Sequence, residues 1–284
     1  MTRRVLWLST AAAMFASVAF AETDGLPVAD EVIAEQNAAL LAAIEGKGFG
    51  PQSPRDIDSK KGNNVRAFGE APAASEMTLC DIHLHENAEH KGGEFTTYAG
   101  NGNGEGAGTG FKYNGALTEA EMAPIDRVIG EGEDGDLVPG DTVEFQFVYS
   151  TAQATLGNGL GTCLSEAIGN PQLRVEAVVA VLVNDAAAAD FTTMAKIENI
   201  GGLNQVPNLP NDLGTPVVYD GSTTGPKYNE AGSPFQVTWS VRPQVVKVDI
   251  NSVGAWLEAN DFKEEHAHGA RNLVTDPNLL SPIE

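Results

Sequence analysis

The five histidines of this 284-residue chain fall into two short clusters, and these clusters carry the chemistry that the sequence suggests. The first contains His83, His85 and His90, and the second contains His266 and His268. His83 and His85 are two positions apart, and alternate side chains of a β-strand point to the same face. Both imidazoles would then project from one strand face, where their nitrogens could reach one cation at about 2.0–2.1 Å. The spacing therefore predicts a metal site on a β-strand.

The same H-x-H pair has two other interpretations. Alternation places any two polar side chains on one face, so a solvated strand face is the simplest alternative. His83, His85 and Glu89 also match the core of the first cupin motif, which supplies two histidines and one glutamate to iron or manganese. A cupin needs a further histidine on a later strand, and none follows the turn at 139–141 until His266. The cupin interpretation is therefore disfavoured.

The elements that must position these residues are mainly β-strands. Residues 29–46 carry an apolar stripe of helical period and predict one N-terminal helix. The Gly-, Pro- and Ser-rich stretch 47–75 predicts a linker that wraps the surface, and the glycine-dense stretch 92–110 predicts a loop. Strand patterns occur at 78–85, 143–150, 173–183, 216–219 and 235–249, and a short helix is expected near 249–260.

The N-terminus indicates an exported protein. Two arginines, a short apolar run and the small-residue pattern Ala19-Phe20-Ala21 predict a signal peptide over residues 1–21. The expected organisation is then an N-terminal helix and linker over 22–75, followed by one domain over 76–284. The formal net charge of −22 argues against nucleic acid as a partner and against binding to anionic membrane surfaces. The apolar run is short and no stop-transfer segment follows it, which argues against membrane insertion.

The chain has two cysteines, Cys80 and Cys163. An even number in an oxidising compartment favours one disulfide, and two buried free thiols are the alternative. A zinc finger is disfavoured because no C-x-x-C pair is present. A serine hydrolase is disfavoured because Ser222 does not lie in a G-x-S-x-G turn.

Longer motifs resemble the delta class of carbonic anhydrases. The first joins the histidine strand at 80–85 to an Ala-Glu-His-Lys segment at 88–91. Further segments with this resemblance are 139–144, 163–167, 170–176, 221–228, 236–243, 265–269 and 271–275. Together they extend over residues 77–280, which makes the resemblance far more specific than any one motif.

The order of the site residues is also similar to that of alpha-class carbonic anhydrases. That class carries H-x-H, then a Glu-His pair, then a Glu-x-His strand, and later a threonine loop before a Val-Thr-Trp strand. The resemblance implies a mainly β fold: a single large twisted, mostly antiparallel sheet of the alpha-carbonic-anhydrase type, with few short helices. It also implies Zn²⁺ as the cofactor, with His83 and His85 as ligands.

The resemblance assigns further roles around the zinc. Glu89 would orient the hydroxyl of Thr223 or Thr224 toward a zinc-bound hydroxide. Glu144 would support the third zinc ligand, and His90 would be structural.

The third-ligand position departs from the family pattern, because Gln146 stands where a histidine is expected. Three outcomes are open: Gln146 binds metal through its side-chain oxygen, His266 or His268 completes the site, or zinc and catalysis have been lost. An amide oxygen is neutral like imidazole but is a harder and poorer zinc donor, so a lower affinity is expected.

The resemblance implies a periplasmic or secreted enzyme with small-molecule substrates. It would reversibly hydrate carbon dioxide to bicarbonate by means of a metal-bound hydroxide. The alternative is a catalytically impaired or non-enzymatic exported metal-binding protein, which the glutamine at position 146 keeps open.

Overall fold

The computed structural model describes residues 27–284 except 65, 67, 133, 134, 225, 226 and 228. The predicted signal peptide at 1–21 lies outside the described residues. Within the described part, the helices are α1 Asp30–Ile44, α2 Phe191–Met194 and α3 Ile250–Glu258. The strands there are β1 Thr78–Glu86, β2 Thr97–Tyr98, β3 Phe111–Lys112, β4 Thr142–Ser150, β5 Leu173–Val183, β6 Glu198–Ile200, β7 Leu203–Gln205, β8 Val217–Thr224, β9 Gly232–Val241, β10 Val246–Asp249 and β11 His268–Gly269.

One seven-stranded mixed sheet dominates this part of the chain, in the order β11-β1-β4-β5-β9-β8, with β10 also paired to β5. The longer ladders, β1 with β4, β4 with β5 and β8 with β9, are antiparallel. The shorter ladders, β1 with β11, β5 with β9 and β5 with β10, are parallel. The expectation of a mainly β fold built on one large sheet is confirmed.

Strand alternation divides β1 between two environments. Ile82 and Leu84 point to one face and join a hydrophobic core that includes Val253 and Trp256 of α3. His83 lies on the opposite face, which lines a cavity. The apolar face fixes the register of the strand, because a one-residue slip would turn the imidazoles into the hydrophobic core and the core side chains into the cavity.

The central strand β4 is buried along its whole length. Phe145 and Phe147 pack into the same core as Leu84, and Phe145 stacks on Phe191 of α2 with 4.0 Å between ring centroids. Such a strand can carry polar side chains only where partners meet them. Gln146, between the two phenylalanines, points to the cavity face, where those partners lie.

Part of the predicted linker is buried more deeply than a surface linker. Arg55 is fully buried and donates hydrogen bonds to the carbonyls of Ser59, Lys61 and Ser281. Ser53 lies against the cavity. A guanidinium that satisfies several carbonyls holds this irregular segment in place, because each buried carbonyl needs a donor.

In the described part of the chain, no helix combines the length and the apolar character needed to cross a membrane.

Candidate active site

A cavity of about 230 Å³ opens on the polar face of β1. His83 and His85 line it together with Gln146 from β4 and Thr223 from β8. Part of its wall is apolar and comprises Val148, Leu160, Leu173, Val175, Val237 and Trp239. The sequence-predicted site residues that line one space are therefore His83, His85, Glu89, Gln146 and Thr223.

In both imidazoles the Nδ1 atom lies within hydrogen-bond distance of an oxygen acceptor. Nδ1 of His85 lies 3.1 Å from the carbonyl oxygen of Gly269, which can only accept. Nδ1 of His83 lies 2.9 Å from Oε1 of Glu264. Each acceptor places the proton on Nδ1 and leaves the lone pair on Nε2, which is the form that binds a metal.

Burial keeps the His85 ring neutral near pH 7. Desolvation lowers the pKa of His85 to about 4, against a smaller opposing effect of Glu89. Burial also acts to lower the pKa of His83, but the hydrogen bond and the charge of Glu264 outweigh it, so this pKa is raised. A cation in the cavity would thus meet the neutral ring of His85 and the ring of His83, which Glu264 holds by a hydrogen bond.

Gln146 is oriented by two carboxylates. Its Nε2 donates to Oε1 of Glu144 at 2.9 Å and to Oε2 of Glu89 at 3.2 Å. Because ionised carboxylates only accept hydrogen bonds, the amide nitrogen must face them. The side-chain oxygen of Gln146 is thereby directed away from both carboxylates.

A buried chain of hydrogen bonds supports Glu144 from behind. Nδ1 of His90 donates to Oε1 of Glu144 at 2.9 Å, and the backbone N–H of His90 donates to Oε2 at 3.1 Å. Nε2 of His90 lies 2.8 Å from the hydroxyl of Tyr219, which lies 2.6 Å from that of Ser53. Burial acts to raise the pKa of Glu144, but His90 and then other polar neighbours hold it at about 2. Glu144 is therefore a fixed negative charge beside Gln146.

Glu89 touches the site from a third direction. Its Oε1 accepts from the backbone N–H of Arg271 at 2.9 Å and lies 3.6 Å from Nδ1 of His85. Thr223 lines the cavity. The side chain of Thr224 lies outside the described part of the structure, so the expected link from Glu89 to a threonine hydroxyl stays a prediction.

Sequence reasoning missed two acidic residues at the site, Asp81 and Glu264. Asp81 lines the cavity two positions before His83, and its Oδ1 is buried without a hydrogen-bond partner. Glu264 is almost completely buried and bridges His83 to Nε2 of His268, 2.7 Å away. Alternation along β1 could have indicated Asp81, but no local pattern distinguishes Glu264 from its neighbour Glu265.

The histidines near the C-terminus are not in a solvated turn. β11 pairs in parallel with β1, which places His268 opposite His85. The ring of His268 stacks on that of His83 with 4.4 Å between centroids, and the ring of His266 lies 4.7 Å from that of His268. Pairing with the edge of β1 and the burial of Glu264 hold this segment against the sheet.

The predicted disulfide is confirmed between Cys80 and Cys163. It ties β1, one residue before Asp81, to the segment whose residues Gly159 and Leu160 form part of the cavity wall. The backbone N–H of Gly157 also donates to the carbonyl of Cys80. The crosslink therefore fixes one wall of the cavity against the strand that carries the histidines.

Comparisons with solved structures return two carbonic anhydrases and a dioscorin among the matches. An alpha-carbonic anhydrase from Photobacterium profundum is 18% identical and aligns over 86% of this chain and 92% of its own, with a TM-score of 0.30. A hyperthermostable carbonic anhydrase from a hydrothermal vent chimney is 16% identical over 85% and 89%, with a TM-score of 0.30. Dioscorin complexed with ascorbate is 16% identical over 93% and 96%, with a TM-score of 0.32. At these scores none supports a residue-level comparison.

No curated protein matches the chain by sequence. The family profile described as "Delta carbonic anhydrase" matches residues 74–252, which is more than half of the chain. This span contains β1, β4 and the residues that surround Gln146. The match removes the support for a cupin, and it confirms the expectation of an enzyme family of the carbonic anhydrase type. The chain belongs to the delta carbonic anhydrase family.

Proposed function

We propose that this protein catalyses the reversible hydration of carbon dioxide to bicarbonate, with Zn²⁺ held by His83, His85 and Gln146. The observation that carries the proposal is the orientation of the Gln146 amide. Two carboxylates bind its nitrogen, so its oxygen is the atom left to act as a ligand. The substitution of the expected histidine is thereby compatible with a three-donor site.

The donor set fits a divalent zinc-type ion. Two imidazole nitrogens and one amide oxygen are all neutral, so a bound ion would keep its full charge. An ion of this kind supplies a Lewis acid that generates a nucleophile from water near neutral pH. The ligands are held from behind by Glu264, Gly269 and Glu144, and such supporting partners set ring orientation and donor strength.

The apolar part of the cavity wall suits carbon dioxide, which has no net charge or dipole. Val148, Val175 and Val237 line the same cavity as the histidines. Their side chains would hold the substrate by dispersion and leave the polar groups to act on the reacting atoms. Glu89, as a carboxylate within the cavity, would accept the hydrogen bond that fixes Thr223 or Thr224 in its expected role.

Export to the periplasm or the exterior is part of the same proposal. The signal peptide expected at 1–21 and the disulfide between Cys80 and Cys163 both support an oxidising compartment.

Gln146 also favours a second candidate, a metal-binding protein without appreciable catalysis. An oxygen donor in place of the third imidazole weakens the affinity for zinc and changes the electron density at the ion. This candidate shares the metal site with the first and differs in turnover alone.

The decisive experiment measures zinc content and carbon dioxide hydration on the same purified protein. We expect about one zinc at the cavity and a hydration rate well above the buffer rate, both lost in His85→Gln. Zinc without turnover would establish the second candidate. If His85→Gln retained full hydration activity, the proposed site would be wrong.

A further inference from the structure

Three side chains with metal-binding atoms lie together at the edge of the sheet, where β11 pairs with β1. We call His83, Glu264 and His268 the outer triad. Glu264 Oε1 lies 2.9 Å from Nδ1 of His83, and its Oε2 lies 2.7 Å from Nε2 of His268. One ligand-type atom from each residue falls within 4.8 Å of the other two. Of the three, only His83 is among the residues that line the cavity.

The chemistry of the outer triad is that of a transition-metal site. Two imidazole nitrogens and one carboxylate oxygen are the donors of several mononuclear zinc sites, and they discriminate against calcium and magnesium, which prefer oxygen alone. The set carries one negative charge when both rings are neutral.

The distances and the exposure allow an ion to enter. Donors around a tetrahedral ion with bonds of about 2.0–2.1 Å lie roughly 3.3 Å apart. At present Nδ1 of His83 lies 2.9 Å from Oε1 of Glu264 and Nε2 of His268 lies 2.7 Å from Oε2, so the contact to whichever oxygen binds the ion would need to widen by about half an ångström. The side chain of His268 is 36% exposed and that of His83 is 28% exposed, while Glu264 is 1% exposed. An ion could therefore arrive from solvent at a pre-buried carboxylate.

An orienting role for Glu264 explains only half of this arrangement. A carboxylate that fixes the tautomer of one metal-binding histidine needs contact with that ring alone. Here the second oxygen of Glu264 engages another imidazole, stacked 4.4 Å from the first. The pairing of β11 with β1 places this second ring there.

We propose that the outer triad is a second divalent-cation site, selective for zinc-type ions, that competes with the cavity site for His83. A neutral imidazole has a single lone pair, so a metal on Nδ1 moves the ring proton to Nε2 and removes His83 from the cavity. The competition, which rests on the proposed function, makes excess zinc an inhibitor. The site itself does not depend on catalysis.

Cobalt binding to a variant that lacks the cavity site tests the outer triad directly. His85→Gln removes a cavity ligand and leaves the triad intact. We expect this full-length variant to bind one Co²⁺, with at least a tenfold loss of affinity when His268→Gln is added. His266→Gln in the same background is the matched control, and it should change the affinity less than twofold. Circular dichroism on each variant checks that the fold is retained.

Anomalous diffraction at the cobalt edge provides a second readout that needs no triad variant. In the His85→Gln protein the peak should lie beside Nδ1 of His83 and the Glu264 carboxylate. A peak at Nε2 within the cavity, no bound cobalt, or an affinity insensitive to His268→Gln would each overturn the proposal.

Inhibition is tested separately on the otherwise unmodified protein. The ratio of hydration rates at tenfold excess and at stoichiometric zinc should fall below one half, and His268→Gln should return it toward one. If the protein never hydrates carbon dioxide, the proposed function fails while the cobalt experiment still decides the outer triad. A ratio of one with active protein would overturn the competition.

Discussion

His83 on β1 lies directly opposite Gln146 on β4 in the antiparallel ladder. Opposed residues of such a pair share one face, with Cβ atoms about 4.5–5.5 Å apart. The histidine and the glutamine therefore meet at the same point of the cavity, although 63 residues separate them in the chain. The glutamine that stands where the family pattern has a histidine therefore lies beside the H-x-H pair, as the proposed three-donor site requires.

Replacing the glutamine by the residue typical of the family should strengthen the site. Gln146→His adds an imidazole that Glu144 can orient through the hydrogen bond it now makes to the amide. We expect at least a tenfold gain in zinc affinity, measured by competition with a chromophoric chelator, and a higher kcat/KM. Gln146→Leu is the matched control, since it has a similar volume and no donor, and it should lower the affinity. Equal affinities for all three proteins would show that residue 146 does not bind the ion.

The buried charge of Glu144 should matter for metal binding beyond its effect on stability. Glu144→Gln keeps the shape but removes the charge that orients Gln146 and pairs with His90. A loss of such a supporting partner lowers metal affinity by about 10–100-fold. Glu176→Gln is the control, because Glu176 is also buried and paired, with Arg174 and Arg242, on a strand position outside the cavity.

Both variants should lose stability in urea, and only Glu144→Gln should lose zinc affinity. Equal effects on zinc binding would reduce the role of Glu144 to general support of the fold.

The pH dependence of stability should carry the signature of Asp81. Burial raises the pKa of the Asp81 carboxyl to about 6 from its ordinary value of 3.8. The folded protein then holds this proton more tightly than the unfolded chain does, so the free energy of unfolding falls as the pH rises from about 4 to 6. In metal-free protein at pH 8, Asp81→Asn should be more stable than the parent by up to about 3 kcal/mol.

At pH 3.5 the two proteins should have nearly the same free energy of unfolding. Exposed Asp212→Asn serves as the control and should behave like the parent at both values. Urea unfolding in the presence of a chelator measures all three, and a pH-independent difference for Asp81→Asn would contradict the argument.

The disulfide should contribute to stability mainly by restricting the unfolded chain. Cys80 and Cys163 are 83 positions apart, and closing a loop of this length stabilises by roughly 2–5 kcal/mol. The double variant Cys80→Ser/Cys163→Ser should lose about that much in urea unfolding. A reductant should destabilise the parent and leave the double variant unchanged. A reductant effect of equal size on both would exclude the crosslink as its cause.

Local patterns in the sequence were sufficient for most elements but not for their exact limits. The helix expected at 29–46 is α1, and the strand expected at 143–150 is β4 with one more residue. The strand expected at 216–219 continues to Thr224. The sequence did not predict this second half because its residues are small and polar and show no apolar alternation. The pattern at 235–249 divides into β9 and β10, since Pro243 lacks the N–H that a continuous ladder needs.

The site could be predicted only where it follows strand alternation or a family motif. The common face of His83 and His85 comes from the two-residue period, and the place of Gln146 comes from the order of motifs. The contact between His83 and Glu264 joins residues 181 positions apart and has no local signal. The parallel pairing of β11 with β1 is equally non-local, because two residues are too few for a strand pattern.

The pairing of β11 with β1 determines when the edge of the histidine strand can be completed during folding. A chain that emerges from a ribosome or a translocation pore presents β1 long before β11 exists. Until residue 268 arrives, residues 85 and 86 at the edge of β1 lack the strand that pairs with them, and an unpaired strand edge can lead to aggregation. The edge of the histidine strand is accordingly completed late, and cells must shield it or complete the chain quickly.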